Sequence, residues 1–282
     1  MTSAEVALLL RLCQRAVDPR AEIVMVHAGH NGTTVLRAAT NAGPVIVKRH
    51  RSPDRHSQEV HAYRHWTSAL RGRSARLIAA INDPPAIITS ALPGRPLAEA
   101  DLDPRQEADL HRQAGSLLSW LHHAEPPRPD PNMTAWLASR GDYWLSVAGP
   151  VIPRQRQAEI IVHLRELAQL GPIPAVPCHL DYTPKNLVVQ PTGELAVIDF
   201  EHARYDLAAR DLVRFANRVW PTRPDLKETF LQGYGSLDEV DRQVIEHCTH
   251  LDVLTTIARS AERSRIAEQF GRRSIRPVAP QN

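Results

Sequence analysis

The chain has 282 residues, of which 43% are hydrophobic and 23% are charged, proportions that are ordinary for a soluble globular enzyme with a substantial core. Its net charge is only +3 and no long block carries one sign, which disfavours nucleic acid as the main partner. No apolar run reaches membrane-spanning length and three Cys lie far apart, so we expect a cytoplasmic protein with no membrane partner.

The N-terminal part of the sequence predicts one helix followed by short strands. The residues up to Asp18 have the pattern of an amphipathic helix and lack the features of a secretion signal. Strand-like runs follow from Glu22 to Val26, from Val35 to Thr40 and from Pro44 to Lys48. The segment 27–34 contains two Gly, which permit a hairpin whose backbone could cover phosphate groups.

Two charged residues stand out in the next stretch. Lys48 ends its strand in a chain that has three Lys against 31 Arg, so a Lys at this place is not a common filler residue. A compact ammonium group suits a point contact with phosphate, and a planar guanidinium does not replace it. Glu59 lies on a helix predicted from Pro53 to Leu70. The plainer interpretations are a solvated lysine at a strand end and an exposed helical glutamate.

The middle of the chain predicts a turn and then mostly helices. An apolar strand from Ala86 to Leu92 breaks at Pro93 and Gly94. Asp103 and Pro104 begin a helix that extends to His122 with one leucine-rich side. A proline-rich loop covers 125–131, and a further helix is expected over 154–170.

The segment from His179 to Asp199 carries most of the chemical information. Asp181 follows His179 by two residues, Asn186 follows Asp181 by five, and Asp199 ends an apolar strand. Phosphoryl transfer needs a carboxylate that orients the acceptor hydroxyl and oxygen ligands that hold Mg²⁺ over the phosphates. Asp181 fits the first requirement, and Asn186 and Asp199 fit the second.

A predicted hairpin explains the spacing between the two metal candidates. Apolar runs at 187–189 and 195–198 flank residues 190–194, whose Pro and Gly suit a tight turn. Because a hairpin brings its two ends together, Asn186 and Asp199 are expected to meet at one end of a β-ribbon.

The sequence beyond Pro224 predicts helices again. Ser236 and Glu239 have the spacing of a capping box, in which the acidic residues favour a helix N-terminus. The alternative interpretation is that the acids of this region line a site for a cationic substrate: Asp238, Glu239, Asp241, Glu246 and Asp252.

The order of these features resembles the superfamily of aminoglycoside phosphotransferases and choline kinases, which is similar in fold to protein kinases. The resemblance implies an α+β, protein-kinase-like fold with two lobes. Residues 1–92 would form a small β-rich lobe that binds the nucleotide, and residues 93–282 a larger, mostly helical lobe that binds the acceptor. It also implies ATP or GTP as phosphoryl donor, with Mg²⁺.

The same resemblance implies roles for the residues of the His179–Asp199 segment. Asp181 is expected to be the catalytic residue that orients or deprotonates the acceptor hydroxyl, and Asn186 and Asp199 are expected to hold the metal ion. A buried acid ties this loop to the large lobe in the family. Asp206 and Asp211 both match that acid, and the sequence does not decide between them.

On the nucleotide side, the resemblance assigns the phosphate contact to Lys48, held in place by Glu59. The Ser90 carbonyl and the Leu92 amide would bind the edge of the nucleobase at the hinge between the lobes. Because backbone groups would make those two contacts, a simple turn between lobes is equally consistent with the side chains.

Two positions depart from related motifs. Leu180 stands where the family usually has Gly, which alters the loop backbone without removing a reacting group. Glu201 occupies the place of the Gly that follows the Asp-Phe pair in protein kinases. The small-molecule branch commonly has this Glu, so it favours a small acceptor over a protein.

The resemblance suggests an antibiotic-like acceptor, either an aminoglycoside or a basic peptide antibiotic, and hence a cationic hydroxyl compound and antibiotic resistance. Segments between hinge and catalytic loop often shape the acceptor site in this family, which makes four residues candidates: Trp136, Asp142, Tyr143 and Trp144. Alternatives are a metabolic kinase of choline, homoserine or a sugar, an inactive nucleotide-binding regulator, and a metal-dependent hydrolase built on His179, Asp181 and Asp199. The oligomeric state is not indicated.

Overall fold

A computed structural model describes the backbone of residues 3–28 and 34–273 and the side chains of residues 3–27 and 34–262. The glycine-rich segment that was expected to cover phosphates lies mostly outside these ranges. None of the helices within them combines the length and apolarity that a membrane span requires.

The N-terminal region is an antiparallel sheet of five strands flanked by two helices. The elements are α1 (Ser3–Ala16), β1 (Glu22–Ala28), β2 (Thr34–Ala39), β3 (Val45–Arg49), α2 (Pro53–His65), β4 (Leu77–Asn82) and β5 (Pro85–Ser90). The strands lie in the order β1-β2-β3-β5-β4. The strands predicted from the sequence are confirmed to within two residues.

Alternation along β3 decides what each face of this sheet does. Val45 and Val47 are buried against α1, where Leu9 belongs to the same apolar cluster. Because successive side chains of a strand point to opposite faces, Ile46 and Lys48 project to the other side. One face is therefore a core, and the other carries an ammonium group toward a cleft.

The C-terminal region is mainly helical, as the α+β prediction required. Its helices are α3 (Pro104–His122), α4 (Met133–Ala148), α5 (Arg154–Gln169), α6 (Val213–Arg218), α7 (Pro224–Tyr234) and α8 (Glu239–Arg273). Its short strands are β6 (Arg95–Pro96), β7 (Val176–Cys178), β8 (Leu187–Val189), β9 (Leu195–Val197) and β10 (Arg204–Asp206). Two apolar clusters hold it together, one between α3 and the β8–β9 hairpin and one among α4, α5 and α8.

Two predicted features at helix ends were wrong in detail. The helix expected to reach Leu70 ends at His65, and a 3₁₀ turn, Thr67–Leu70, follows because the Thr67 hydroxyl bonds to the carbonyl of Tyr63. The cap of α8 is not Ser236. The Asp238 carboxylate instead accepts the Asp241 amide hydrogen at 2.7 Å, and the Asp241 carboxylate accepts the Asp238 amide hydrogen at 3.2 Å.

A glycine allows the close crossing of α3 and α7. A Cβ placed on Gly233 would overlap the carbonyl oxygen of Arg112, a backbone atom that cannot rotate away. We expect Gly233→Ala to lower the free energy of unfolding by about 2 kcal/mol or more, measured by urea denaturation. Gly149→Ala is the matched control, because a Cβ there meets nothing closer than 3.8 Å in a helical conformation. Equal stability of the two variants would contradict this account.

Acid should destabilise the α5–α8 contact through His250. Its ring stacks on His163 with centroids 3.6 Å apart, and burial, followed by the charges of His163 and Arg156, lowers the pKa of His250 from 6.5 to about 4. Between these pH values the unfolded chain binds a proton that the folded chain does not, so unfolding becomes easier as pH falls. Urea titrations across this window should show a smaller loss for His250→Gln, and an identical pH slope would contradict the prediction.

Candidate active site

The hairpin of β8 and β9 brings the two predicted metal ligands to one place. The amide of Ile198 donates to the carbonyl of Asn186 at 3.0 Å, so Asn186 and Asp199 flank the same end of the ribbon. At the other end Gly193 adopts a φ of 80°, which closes the turn. The expected hairpin is confirmed.

Asn186 also connects the hairpin to Asp181. Its side-chain nitrogen Nδ2 donates to the backbone carbonyl and to Oδ2 of Asp181, both at 2.9 Å. The amide oxygen of Asn186 therefore faces away from Asp181. Together with the Asp199 carboxylate it forms a set of hard oxygen donors of the kind that Mg²⁺ prefers, so these residues fit the metal.

A first cavity of about 290 Å³ lies between the N-terminal sheet and this hairpin. Six of the seven site residues expected from the sequence line it: Lys48, Glu59, Ser90, Leu92, Asn186 and Asp199. Apolar side chains of Val35, Ile46 and Val188 complete much of the wall. Asp181 is the seventh, and it adjoins the cavity through its bonds with Asn186.

Lys48 stands at the centre of a charge cluster in this cavity. Its ammonium group lies 3.0 Å from Glu59 and 2.8 Å from Glu201, and it also contacts the Asp199 carboxylate. Burial alone would lower the pKa of Lys48, but these three carboxylates raise it well above its ordinary value. The lysine is therefore held as a cation inside the cleft.

Two partners in this cluster were not foreseen from the sequence. Glu201 had been noted only as a substitution for Gly, and His50 had not been noted at all. His50 lies 2.5 Å from the carboxylate of Glu59, which is buried. Burial would raise the pKa of Glu59, whereas Lys48 and His50 lower it, so Glu59 is held ionised. Alternation on β3 could have indicated His50, since it lies two residues beyond Lys48.

Asp211, and not Asp206, supports the loop that contains Asp181. Its buried carboxylate accepts the amide hydrogens of His179 at 2.8 Å and Leu180 at 2.5 Å, and it pairs with His122 at 3.1 Å. Burial would raise the pKa of Asp211, but these hydrogen bonds and His122 lower it. Asp206 is occupied elsewhere, by two arginines.

The support explains the unusual residue at position 180. Leu180 has a φ of 59°, in the left-handed region where glycine is the usual residue. A bulky side chain there costs roughly 1 to 3 kcal/mol unless the surroundings enforce it. The carboxylate of Asp211 holds the amides of His179 and Leu180, and the ring of His179 holds the amide of Asp181, so the peptide units on both sides of Leu180 are fixed.

His179 is a structural residue of this loop. Its Nδ1 accepts the Asp181 amide hydrogen at 3.2 Å, and its Nε2 donates to the Ile198 carbonyl at 3.0 Å. Because backbone groups use both ring nitrogens, His179 offers no ligand atom to a metal ion. The geometry therefore argues against a hydrolase with His179 as a metal ligand.

Arg214 is a further site residue that sequence reasoning missed. Its guanidinium group contacts Oδ1 of Asp181 and lies 3.5 Å from Asp252. It also lines a second cavity, of about 120 Å³, whose wall includes Leu180, the neighbour of Asp181. The sequence offers one signal, its position three residues after Asp211 in the first turn of α6.

The residues suggested for acceptor binding divide into two groups. Trp144 lines the second cavity, and the ring of Trp136 lies under Arg140 at 5.0 Å. Asp142 and Tyr143 are exposed on α4 and do not line either of the two cavities. Of the five C-terminal acids, only Asp252 reaches the second cavity, where it is paired with arginine. The acid-lined site considered for a cationic substrate is not formed.

Comparisons with known proteins agree with this geometry. The model of a family described as the phosphotransferase enzyme family matches residues 22–246. A search of curated proteins finds no match.

Solved structures show a similar fold at low sequence identity. Spectinomycin phosphotransferase APH(9)-Ia, in its AMP-bound complex, is 16% identical over 96% of this chain and 95% of that chain, with a TM-score of 0.64. Choline kinase LicA from Streptococcus pneumoniae is 17% identical over 92% of both chains, with a TM-score of 0.64. Macrolide 2'-phosphotransferase MphH from Brachybacterium faecium is 16% identical over 99% of this chain and 100% of that chain, with a TM-score of 0.63. The kinase-like fold is thus shared.

Proposed function

This chain belongs to the phosphotransferase enzyme family and is a phosphotransferase with an alcohol group as acceptor, and from that membership we propose how it works. It transfers the terminal phosphoryl group of ATP or GTP to a hydroxyl group of a small molecule in the cytoplasm. The observation that carries the proposal is the position of Asp181 between the two cavities. One carboxylate oxygen accepts from Asn186 of the first cavity, and the other contacts Arg214 of the second.

In this proposal the first cavity takes the nucleotide. Lys48, oriented by Glu59, binds phosphate oxygens. Its contacts with the carboxylates of Asp199 and Glu201 support this role, because they place its ammonium group among several anionic oxygens at once. The backbone of Ser90 and Leu92 takes the base edge. Residues 1–92 would then act as the nucleotide-binding lobe, and residues 93–282 as the catalytic and acceptor-binding lobe.

Asn186 and Asp199 would hold Mg²⁺, whose charge, when bound, neutralises the phosphate oxygens. Asp181 orients the acceptor hydroxyl toward the terminal phosphorus and receives its proton. One bond forms between the hydroxyl oxygen and phosphorus, and the bond from phosphorus to the bridging oxygen breaks. The products are a nucleoside diphosphate and a phosphate monoester.

Modification of an antibiotic is the finer form of this proposal. Its support is the family and the presence of spectinomycin and macrolide phosphotransferases among proteins of similar fold. The identities are too low to carry an acceptor across, and the similar fold of a choline kinase leaves the metabolic alternative in place. The acceptor must therefore be sought in the chain's own second cavity.

An ADP-release assay with Mg²⁺ and a panel of alcohols tests the proposal. We expect release that depends on an acceptor and a phosphate monoester that forms in equal amount. Release of inorganic phosphate without any acceptor would indicate a hydrolase. Nucleotide binding without release for any alcohol would indicate a regulator, and either result would overturn the proposed transfer.

A further inference from the structure

The second cavity adjoins Asp181 on the side away from the proposed nucleotide site, so on the proposed function it is where the acceptor binds. Leu180, which precedes Asp181, forms part of its wall. Arg214 lies in the same wall and contacts the Asp181 carboxylate. Its volume is about 120 Å³, less than half that of the first cavity.

Arginine dominates the lining of this cavity. Six guanidinium groups come from six different elements or turns of the chain: Arg55, Arg140, Arg204, Arg210, Arg214 and Arg259. The lining contains one carboxylate, that of Asp252. Asp252 already lies 2.8 Å from Arg218 and 3.5 Å from Arg214, so it does little to neutralise the other arginines of the cavity.

Neighbouring carboxylates compensate only part of this charge. The buried Asp206 is shared by Arg204, at 2.9 Å, and Arg210, at 2.5 Å. Within the described side chains, Arg55, Arg140 and Arg259 have no carboxylate at ion-pairing distance. They are therefore the cations that are available to a ligand.

These three arginines are instead held by neutral groups. Arg140 lies over the ring of Trp136 at 5.0 Å, and Arg259 lies over the ring of Trp144 at 6.0 Å. Arg55 donates to the backbone carbonyl of Glu201 at 3.4 Å. Contacts of this kind orient a guanidinium group without cancelling its charge.

Mutual repulsion among the arginines agrees with this geometry. Burial is the first cause that lowers the pKa of Arg140, and the charges of Arg204, Arg210 and Arg259 lower it further. Burial is also the first cause that lowers the pKa of Arg55. The charge of Glu201 opposes this shift, and the charges of Arg204, Arg259 and Arg140 add to it. A bound anion would relieve this repulsion, whereas a polycation would increase it.

We propose that the acceptor is an alcohol that already carries an anionic group, a phosphate or a carboxylate, and that Arg55, Arg140 and Arg259 bind this group in the second cavity. Planar guanidinium groups bind both anions through paired hydrogen bonds. The reacting hydroxyl of such a molecule would lie toward Asp181. The inference replaces the cationic acceptor that the sequence suggested, because positive charge lines the site where that acceptor would have to bind.

The two tryptophans under the arginines provide a direct binding signal. Full-length protein is titrated with glycerol, glycerol 3-phosphate, glycerate, choline and kanamycin while tryptophan fluorescence is recorded. We expect at least one of the two anionic alcohols to bind about tenfold or more tightly than glycerol, with an affinity that falls as salt rises. The comparison between glycerol 3-phosphate and glycerate shows which anion is preferred.

Arg140→Gln and Arg259→Gln should each lower the affinity for the anionic probe by about tenfold. The matched control is Arg165→Gln, an exposed arginine of α5 that does not line either of the two cavities, and it should leave binding unchanged. The inference is overturned if neither anion binds more tightly than glycerol, if choline or kanamycin binds as tightly, or if the control loses as much affinity as the two variants.

The outcome separates this inference from the proposed transfer. Asp181→Asn should keep the fluorescence response to the anionic probe even though transfer is lost. Transfer that requires Asp181 but prefers neutral or cationic alcohols would refute the anionic acceptor alone. Anion binding without ADP release for any alcohol would refute the transfer and leave an anion site without that role.

Discussion

Asp181→Asn is expected to lower kcat for phosphoryl transfer by about 10³-fold while nucleotide affinity stays within about twofold. The substitution keeps the shape of the side chain and one oxygen that can accept the hydrogen bond from Asn186. What it removes is the negative charge that orients the acceptor hydroxyl and takes its proton. The nucleotide contacts that we assign to Lys48, Ser90 and Leu92 are untouched.

The measurement pairs ADP release with a separate titration of the nucleotide. Asp101→Asn serves as control, because Asp101 is an exposed loop residue that does not line either of the two cavities. Turnover within a few fold of the unmodified protein would refute the role of Asp181. A comparable loss of nucleotide affinity would show that Asp181 acts in binding and not in transfer.

Asp211→Ala is expected to lower the free energy of unfolding by about 3 to 5 kcal/mol, the cost of removing one partner from a buried charged network. The loss leaves the amides of His179 and Leu180 and the ring of His122 without their acceptor in the protein interior. We expect kcat to fall as well, since Leu180 would relax from its left-handed backbone conformation and displace Asp181.

A double-mutant cycle separates the two effects. Asp211→Asn keeps an oxygen acceptor, and Leu180→Gly removes the backbone conflict at position 180. If Asp211 holds this backbone, Leu180→Gly should restore part of the kcat lost in Asp211→Asn, and the two changes should not add. Strict additivity of the kcat effects, or a stability loss below about 1 kcal/mol in Asp211→Ala, would contradict the role given to Asp211.

The arginine-lined cavity changes how the acceptor question should be approached. Family resemblance led to a cationic antibiotic, and five acids near the C-terminus were compatible with one. In the structure Asp252 is paired with arginines, and Asp238 and Asp241 cap the start of α8. Screening of acceptors should therefore begin with acidic alcohols, with aminoglycosides as the contrasting class.

The parts of the candidate site that lie close together along the chain could be predicted from sequence. Asp181, Asn186 and Asp199 fall within one continuous segment, and a short hairpin brings Asn186 and Asp199 together through local turn geometry. Lys48 and Glu59 are separated by a single strand-to-helix connection, so their pairing at 3.0 Å was also accessible. Apolar periodicity likewise gave α3 its bounds.

Long-range packing was needed to distinguish Asp211 from Asp206, to place Arg214 against Asp181, and to gather six arginines around one cavity. Arg204, Arg210 and Arg214 are close in sequence, but Arg55, Arg140 and Arg259 come from distant segments, and each looks like an ordinary surface residue in its own segment. Electrostatic energy depends on the distance between charges and on how far water is excluded, and neither quantity is a property of sequence order. The charge of the proposed acceptor site is therefore a consequence of the fold, whereas the chemistry proposed for the loop of Asp181 follows from local spacing in the sequence.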